Sequence, residues 1–199
     1  RDGTDLALAA WLLLAAPVAF YLHMPSKYQV ASAPAAAILV AKALWRRSPR
    51  ARAAGTVAVV VLGALLGALI VKADADYADL GRAACRELIV PTVAEGRNVW
   101  FAGHWGFQWY AEKAGAKPLT VTPPLPLKGD LAVSSLRAFG GIIEMFPDRT
   151  RVKSVIGSRP GGRIMSYALG TGYYGNAWGY LPWAWGDEML DRYDLWQLE

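Results

Sequence analysis

The first third of the chain differs from the remainder because it contains three long apolar stretches. Residues 6–22, 28–45 and 54–71 form runs of 17, 18 and 18 residues with almost no charged side chains. About 17 to 25 such residues in a helix cross a bilayer core. The third run lacks the polar face of a soluble core helix, and the first resembles a signal-peptide core except that two more runs follow it. We therefore predict about three transmembrane helices within residues 1–72.

The charged residues predict the orientation of these helices. Residues 6–71 contain no Asp or Glu, and four arginines lie within residues 46–52. Loops rich in Lys and Arg stay on the cytoplasmic side of the inner membrane. The connector at residues 23–28 and everything after residue 72 are then expected on the periplasmic, extracytoplasmic side.

The net charge of +5 does not indicate nucleic acid as a partner. Residues 72–199 carry 14 basic and 14 acidic side chains, so the excess positive charge belongs to the membrane region. A nucleic-acid-binding domain would instead carry a basic stripe on its folded surface. The partner that the apolar runs predict is membrane lipid.

The pattern after the apolar runs predicts a small α/β domain over residues 73–199. Its first element is an amphipathic helix at residues 74–90, which Pro91 is expected to close. The apolar face of this helix consists of Leu80, Ala84 and Leu88.

Strands and one further helix are predicted for the rest of this domain. A buried strand at residues 98–102 leads into a helix at residues 107–114, which Gly115 ends. The order of the strands in the sheet does not follow from the sequence. The other predicted strands are residues 131–134, 152–156, 164–169 and 193–198.

Residues 170–175, GTGYYG, match the pattern of a dinucleotide-binding loop. That loop normally opens a helix within a βαβ unit. Residues 176–182 are a poor helix, and only 24 residues follow the motif. A glycine-rich loop is therefore the better interpretation.

Two groups of aromatic residues supply candidate ligand contacts. Tyr174 and Trp178 belong to the group at residues 167–185, and His104 and Trp105 lie in the turn after the predicted strand 98–102. Aromatic faces stack on sugar rings, but they also fill small cores or lie at the membrane interface. His104 could bind or protonate a ligand, or could be a hydrogen-bonded structural residue.

The connector provides a second candidate site, made of His23, Lys27 and Tyr28. Cationic side chains at the bilayer surface are placed to meet a lipid phosphate. A lone Lys beside a membrane helix also serves as a simple anchor, so both interpretations stay open.

No metal site or other cofactor is evident. Cys85 is the sole cysteine and the chain has two histidines, whereas a structural zinc site uses about four such ligands. Glu112 and Asp130 are the carboxylates left as acid–base candidates, and no nucleophile-elbow motif is present. Catalytic residues within this chain are therefore unknown.

The connector and three later stretches resemble a known family. Residues 23–34, HMPSKYQVASAP, are similar to a segment of glycosyltransferase family 39, namely the loop and proline-containing helix near the end of its membrane part. This family contains the protein O-mannosyltransferase-like and aminoarabinose-transferase-like enzymes of the GT-C class. Three later stretches of this chain resemble the C-terminal extracytoplasmic domain of bacterial members. They are NVWFAGHWGFQWYAEKAGAKPL, KGDLAV and GYYGNAWGYLPWAWG. The resemblance covers nearly the whole chain.

This resemblance implies a multi-helix enzyme that moves a sugar from a polyprenyl-phosphate donor to an extracytoplasmic acceptor, with inversion. The catalytic Asp of the family would lie in a loop upstream of Arg1, so this chain is expected to be an inactive C-terminal part. Only His23, Lys27 and Tyr28 fall where the family holds the donor phosphate. The alternatives are a membrane-anchored glycan- or protein-binding module without catalysis and an assembly subunit.

Overall fold

The computed structural model describes residues 3–15, 26–138 and 140–199. These residues form two compact units. The first, here called the helical unit, takes the described residues up to Ala73 together with Gly162–Gly186. The second, here called the sheet unit, takes Asp74–Gly161 and Asp187–Glu199.

Three helices make up most of the helical unit. They are α1 (Gly3–Ala15), α2 (Ala33–Trp45) and the 36-residue α3 (Pro49–Ala84), whose last residues belong to the sheet unit. Pro34 and Pro49 each lie at the start of a helix, where proline removes no required hydrogen bond. A 3-10 turn, Ser26–Ser32, precedes α2.

The expected number of about three membrane-spanning helices is not supported. Among the described residues, one helix is long and apolar enough to cross a bilayer, and it comprises α3 and its continuation to Ala94. At 1.5 Å per residue, the 13 residues of α2 cover about 20 Å of a bilayer core that is about 30 Å thick. The predicted run at 28–45 is shorter as an α-helix because its first residues adopt the 3-10 turn, and residues 16–22 of the first run lie outside the described residues.

The helix does not end at Pro91, so that prediction is wrong. A π-helical turn, Cys85–Ile89, follows α3, and a short α4 (Val90–Ala94) follows the turn. Pro91 lies in the first turn of α4, where its missing N–H group costs nothing. The predicted apolar face is confirmed, because Ala84 and Leu88 are buried and Leu80 packs against the same core.

The sheet unit contains a five-stranded mixed sheet. Its strands are β1 (Val99–Ala102), β2 (Lys117–Pro118), β3 (Leu131–Ser135), β4 (Arg149–Gly157) and β9 (Asp191–Leu198). They lie in the order β2-β1-β3-β9-β4. The first three neighbours, β2, β1 and β3, run parallel, and β9 is antiparallel to both β3 and β4. The prediction of an α/β domain is therefore confirmed.

Helices cover one face of this sheet. The α5 helix (Trp105–Lys113) connects β1 to β2 and packs with the π-helical turn over that face. Gly115, at φ +91°, ends this helix as predicted. On the opposite face a smaller cluster, centred on Trp100, Ala132 and Leu198, packs under the 3-10 turn Gly140–Met145.

Short strands complete the helical unit. β5 (Gly161–Arg163), whose first residue belongs to the sheet unit, pairs with β8 (Ala184–Gly186). β6 (Met165–Ser166) pairs with β7 (Thr171–Gly172). The predicted strand at 164–169 is wrong beyond Ser166, because the chain turns there and reaches Gly170 at φ +65°.

Candidate functional site

The connector residues Lys27 and Tyr28 lie in the 3-10 turn that leads into α2. Lys27 is half-buried, and the Tyr28 side chain is 56% exposed. His23, the third candidate of this group, lies outside the described residues. The turn passes directly into α2 at Ala33, so the positions of Lys27 and Tyr28 are tied to the end of that helix.

The glycine-rich loop folds back on itself by backbone hydrogen bonds. The Gly172 N–H donates to the Leu181 carbonyl at 2.9 Å, and the Leu181 N–H donates to the Gly170 carbonyl at 3.0 Å. A Cβ atom at Gly172 or Gly179 would clash with a backbone carbonyl of the same loop. The glycines are therefore required by the close approach of the loop's two sides.

The residues after this loop do not form the helix of a dinucleotide site. Gly175 is followed by a three-residue 3-10 turn, Asn176–Trp178. A dinucleotide loop needs a longer helix, whose N-terminal amides face the pyrophosphate. The interpretation as a glycine-rich loop agrees with this local structure.

The structure brings the connector and the glycine-rich loop together within the helical unit. Lys27 Nζ lies 4.5 Å from the ring centroid of Tyr174 and 5.7 Å from that of Tyr28. The Lys27 N–H also donates to the Tyr173 carbonyl at 3.5 Å. The Tyr173 ring stands nearly perpendicular to that of Tyr174, with 5.2 Å between centroids. Two groups of candidate residues that are far apart in the sequence thus form one cluster, which we call the Lys27 cluster.

In the Lys27 cluster, aromatic rings stabilise the positive charge of the Lys27 ammonium, but they do not neutralise it. An ammonium over an aromatic face gains about 0.5 to 2 kcal/mol, depending on how far it is desolvated. Among the described residues, no carboxylate forms an ion pair with Lys27. Because the ammonium has three N–H donors, it can offer at least one to an anion. The chemistry that this geometry favours is recognition of a phosphate or carboxylate.

Trp178 is buried and packs against other residues of the glycine-rich loop. It is 7% exposed, its ring lies 5.7 Å from that of Tyr167, and a Cβ added to Gly175 would meet it at 2.7 Å. The side chain packs inside the loop that carries Tyr174. The interpretation of Trp178 as a ligand contact stays a prediction, and its packing explains how the loop keeps its shape.

His104 and Trp105 lie in the sheet unit, at the carboxyl end of β1. The His104 N–H donates to the Ala138 carbonyl at 2.8 Å, and its side chain is exposed. Trp105, at φ +59°, has the left-handed backbone conformation that costs a non-glycine residue about 1 to 3 kcal/mol. Gly103 before them is tightly packed, because a Cβ atom there would meet Phe107 Cδ1 at 2.6 Å.

A buried polar network lies at the adjacent end of β3. The Asp191 carboxylate accepts hydrogen bonds from the Ser135 hydroxyl at 2.7 Å and the Tyr77 hydroxyl at 3.1 Å. It also accepts from the backbone N–H groups of Arg137 at 3.0 Å and Arg192 at 2.7 Å. Four donors thus satisfy a carboxylate that is 0% exposed.

This network fixes the chain segment that contacts the His104 turn. Ser135 Oγ accepts hydrogen bonds from the N–H groups of Arg137 at 3.1 Å and Ala138 at 2.6 Å. Ala138 in turn accepts from the His104 N–H. Asp191 and Ser135 therefore act as positioning residues for the loop beside His104.

Burial dominates the ionisation of this region. Desolvation raises the pKa of Asp191 above its ordinary value, and the hydrogen bond from Ser135 is the largest opposing effect. Burial also raises the pKa of Tyr193, and the negative charge of Asp191 adds to this shift.

Sequence reasoning did not select Asp191, Ser135 or Tyr77. Tyr77 and Ser135 lie 114 and 56 positions from Asp191, and no local motif marks them. Of the two carboxylates that were considered, Asp130 accepts hydrogen bonds from the Trp100 indole and the Leu127 N–H and holds a loop. Glu112 accepts from the Gln108 amide on the surface of α5.

Comparisons of the chain with protein-family models, with curated proteins and with solved structures give no match. Within the part of the chain that the structure describes, no three His, Cys, Asp or Glu side chains come together as metal ligands.

Proposed function

We propose that this chain is the C-terminal part of an integral membrane glycosyltransferase that transfers a sugar from a polyprenyl-phosphate donor to an extracytoplasmic glycan or protein. The observation that carries the proposal is the Lys27 ammonium, held between Tyr28 and Tyr174 without a carboxylate partner among the described residues. The resemblance of residues 23–34 to the loop and proline-containing helix near the end of the membrane part of family 39 supports the same assignment, because that family holds the donor phosphate with basic residues near the bilayer surface.

The position of the Lys27 cluster in the helical unit suits a lipid-linked phosphate. In the proposed arrangement α3 spans the inner membrane, and the shorter apolar segments around α1 and α2 also enter it, with local thinning of the bilayer to match their length. The four arginines at residues 46–52 then face the cytoplasm. The 3-10 turn at the other end of α2 lies at the periplasmic surface, where the polyprenyl phosphate group resides.

The role that we assign to Lys27 is to bind the donor phosphate and stabilise it as it leaves. In the transfer, an acceptor oxygen forms the new bond to the anomeric carbon, and the bond from that carbon to the phosphate oxygen breaks. The phosphate departs with the bonding electrons and gains negative charge, which a nearby ammonium stabilises. The acceptor proton passes to a carboxylate that the family resemblance assigns to a segment upstream of Arg1.

Donor binding to the chain in lipid nanodiscs tests this proposal directly. Lys27→Ala should weaken binding of a polyprenyl phosphate about tenfold or more, because a hydrogen bond to a charged group contributes about 1.5 to 3 kcal/mol. Lys27→Arg should retain most of the affinity. Titration followed by native mass spectrometry gives the dissociation constants.

A matched control comes from the sheet unit. Lys113 Nζ lies 4.6 Å from the ring of Trp109, in a similar cation–π contact, and Lys113→Ala removes the same charge outside the proposed site. Its donor affinity should equal that of the unsubstituted chain. If Lys27→Ala and Lys113→Ala bind the donor equally well, the assignment of Lys27 is wrong.

Exposed aromatic side chains favour a second candidate, a membrane-anchored glycan-binding module without catalysis. Tyr167, Tyr180 and Trp185 are 69%, 66% and 65% exposed, and such faces can stack on sugar rings. This function predicts that soluble oligosaccharides bind the chain without any lipid phosphate. Loss of that binding in Trp185→Ala, with donor binding absent, would favour this candidate over the glycosyltransferase.

A further inference from the structure

An apolar groove runs between α2 and α3 at the arginine-rich end of these helices. Its volume is about 490 Å³. Small and branched side chains line it, among them Ala37, Val40, Ala41, Val59 and Val60. Near Leu44 the two helices meet closely, because a Cβ atom at Gly55 would lie 2.5 Å from Leu44 Cδ2.

The mouth of this groove is positively charged. Arg52 belongs to the groove lining, and its guanidinium carbon lies 4.3 Å from the ring centroid of Trp45. Trp45 itself is 74% exposed. Trp is typical of membrane interfaces, where its ring meets the lipid headgroups. The groove thus combines an apolar lining with a cation beside an exposed tryptophan.

The arginines at this end differ in how far they are neutralised. Asp5 on α1 pairs with Lys42 at 2.5 Å and with Arg46 at 3.4 Å. Among the described residues, no carboxylate pairs with Arg50 or Arg52 in the first turn of α3. These two charges are therefore available to an anionic partner.

Charge also argues against a second copy of the chain as the occupant. Copies in one membrane share the same orientation, so a helix pair packed along this groove would bring two arginine clusters to the same depth. Juxtaposed like charges oppose such association. An anionic headgroup with its acyl chain satisfies both the charge and the apolar lining.

We infer that the groove between α2 and α3 binds one anionic phospholipid from the leaflet at the arginine-rich end, with its headgroup on Arg52 and Arg50 and an acyl chain along Val40 and Val59. This lipid site is separate from the Lys27 cluster at the opposite end of α2. It does not depend on donor binding or on catalysis.

Quenching of Trp45 fluorescence by brominated acyl chains tests this inference. The chain is placed in vesicles of phosphatidylcholine with a minority of phosphatidylglycerol, and bromine is carried either by the phosphatidylglycerol or by the phosphatidylcholine. Subtracting the signal of Trp45→Phe isolates Trp45 from the other tryptophans. Per mole fraction, quenching by brominated phosphatidylglycerol should exceed that by brominated phosphatidylcholine about fivefold for each arginine engaged.

Four variants separate the contributions of charge, groove shape and the donor site. Arg52→Gln should lower the preference about fivefold, whereas Arg97→Gln, which removes a charge from the sheet unit, should leave it unchanged. Filling the groove with Ala37→Leu and Ala41→Leu should lower the phosphatidylglycerol quenching while every arginine remains. Lys27→Ala should keep the full preference, which distinguishes this site from the donor site even if the proposed function fails.

Two outcomes would overturn the inference. Equal quenching by the two labelled lipids means that the groove does not select an anionic headgroup. No quenching of Trp45 by either lipid means that protein, and not lipid, covers this end of the groove.

Discussion

One continuous helical stretch uses the same kinds of apolar residue in two opposite ways. In α3, Val60, Leu62 and Leu65 are 63%, 66% and 57% exposed, and none of its most apolar 18-residue segment is buried. In the following π-helical turn, Leu88 and Ile89 are 1% and 0% exposed. The second segment finds its apolar surroundings within the protein, whereas the first finds none among the residues that the structure describes.

The difference in burial between the two segments predicts a different surrounding medium for each. Leu88 and Ile89 pack against β1, β3 and α5, and burying such a side chain contributes about 1.5 to 3 kcal/mol. The exposed face of α3 forgoes this contribution in water. A continuous apolar surface of this kind marks an interaction site or a membrane segment, and the lack of a polar face favours lipid.

The largest expected effect comes from placing charge in the exposed apolar part of α3. A double variant, Leu62→Arg with Leu65→Arg, should lose membrane integration, because each arginine near a helix centre costs about 3 kcal/mol on insertion. The carbonate-resistant fraction of the expressed chain measures this loss. Leu62→Ala with Leu65→Ala is the matched control and should integrate normally. Full integration of the arginine variant would contradict the assignment of α3 to the membrane.

Truncation of Leu88 should have the next largest effect. Leu88→Ala should lower the free energy of unfolding of the sheet unit by about 2 to 5 kcal/mol, because it leaves a cavity in a packed core. Hydrogen exchange of the β1 and β3 amides, measured on the chain in detergent micelles, reports this change. Leu62→Ala should alter the same amides by less than about 0.5 kcal/mol. Similar protection loss in both variants would show that the two segments do not differ as described.

The buried carboxylate predicts a smaller, pH-dependent effect in the sheet unit. Since burial raises the pKa of Asp191 in the folded state, ionisation favours the unfolded chain. The stability contribution is full below the unfolded pKa, which is about 3.9, and is lost as pH rises through the higher folded pKa. The loss amounts to about 1.4 kcal/mol for each pH unit that separates the two pKa values.

Unfolding of the chain and of Asp191→Asn across the acidic range measures this effect. The stability of the original chain relative to the variant should fall as pH rises. The sheet-unit amides should report the change, and the amides of α2 should not. A constant difference between the two proteins would mean that the Asp191 pKa is not raised.

The smallest effect concerns thiol reactivity, because it leaves the structure intact. Cys85 is 3% exposed, so neither water-soluble nor lipid-soluble maleimide should label it until the chain unfolds. A cysteine at Leu62, introduced in a Cys85→Ala background, should react in vesicles with the lipid-soluble reagent only. Mass spectrometry counts the labels. Rapid labelling of native Cys85 by either reagent would show that its surroundings open readily.

Local pattern predicted the elements of the sheet unit well. The helix ending at Gly115 and strands β1, β3, β4 and β9 follow from hydrophobic periodicity and glycine positions, which act over a few residues. The prediction that Pro91 closes the helix is wrong because a new helix, α4, begins after the π-helical turn and accommodates Pro91 in its first turn. The strand at 164–169 was too long because the pairing of β6 with β7 stops at Ser166.

The candidate site was predicted only in part. Lys27, Tyr28 and Tyr174 were selected as separate candidates, on charge and position in one case and on aromatic content in the other. Their contact depends on a backbone hydrogen bond between residues that are distant in the chain, and on loop glycines packed against each other. No local sequence pattern predicts that these distant residues come into contact.

The sequence by itself determined where apolar and polar surfaces lie, because side-chain hydrophobicity and helical or strand periodicity are local properties. That was enough to predict an apolar helix of membrane-spanning length and an α/β domain after it. Tertiary structure alone decided the strand order, the burial of Asp191 under Ser135 and Tyr77, and the place of Lys27 beside Tyr174. Each of these depends on the free energy of packing distant segments together, and that energy belongs to the pair of segments rather than to either one.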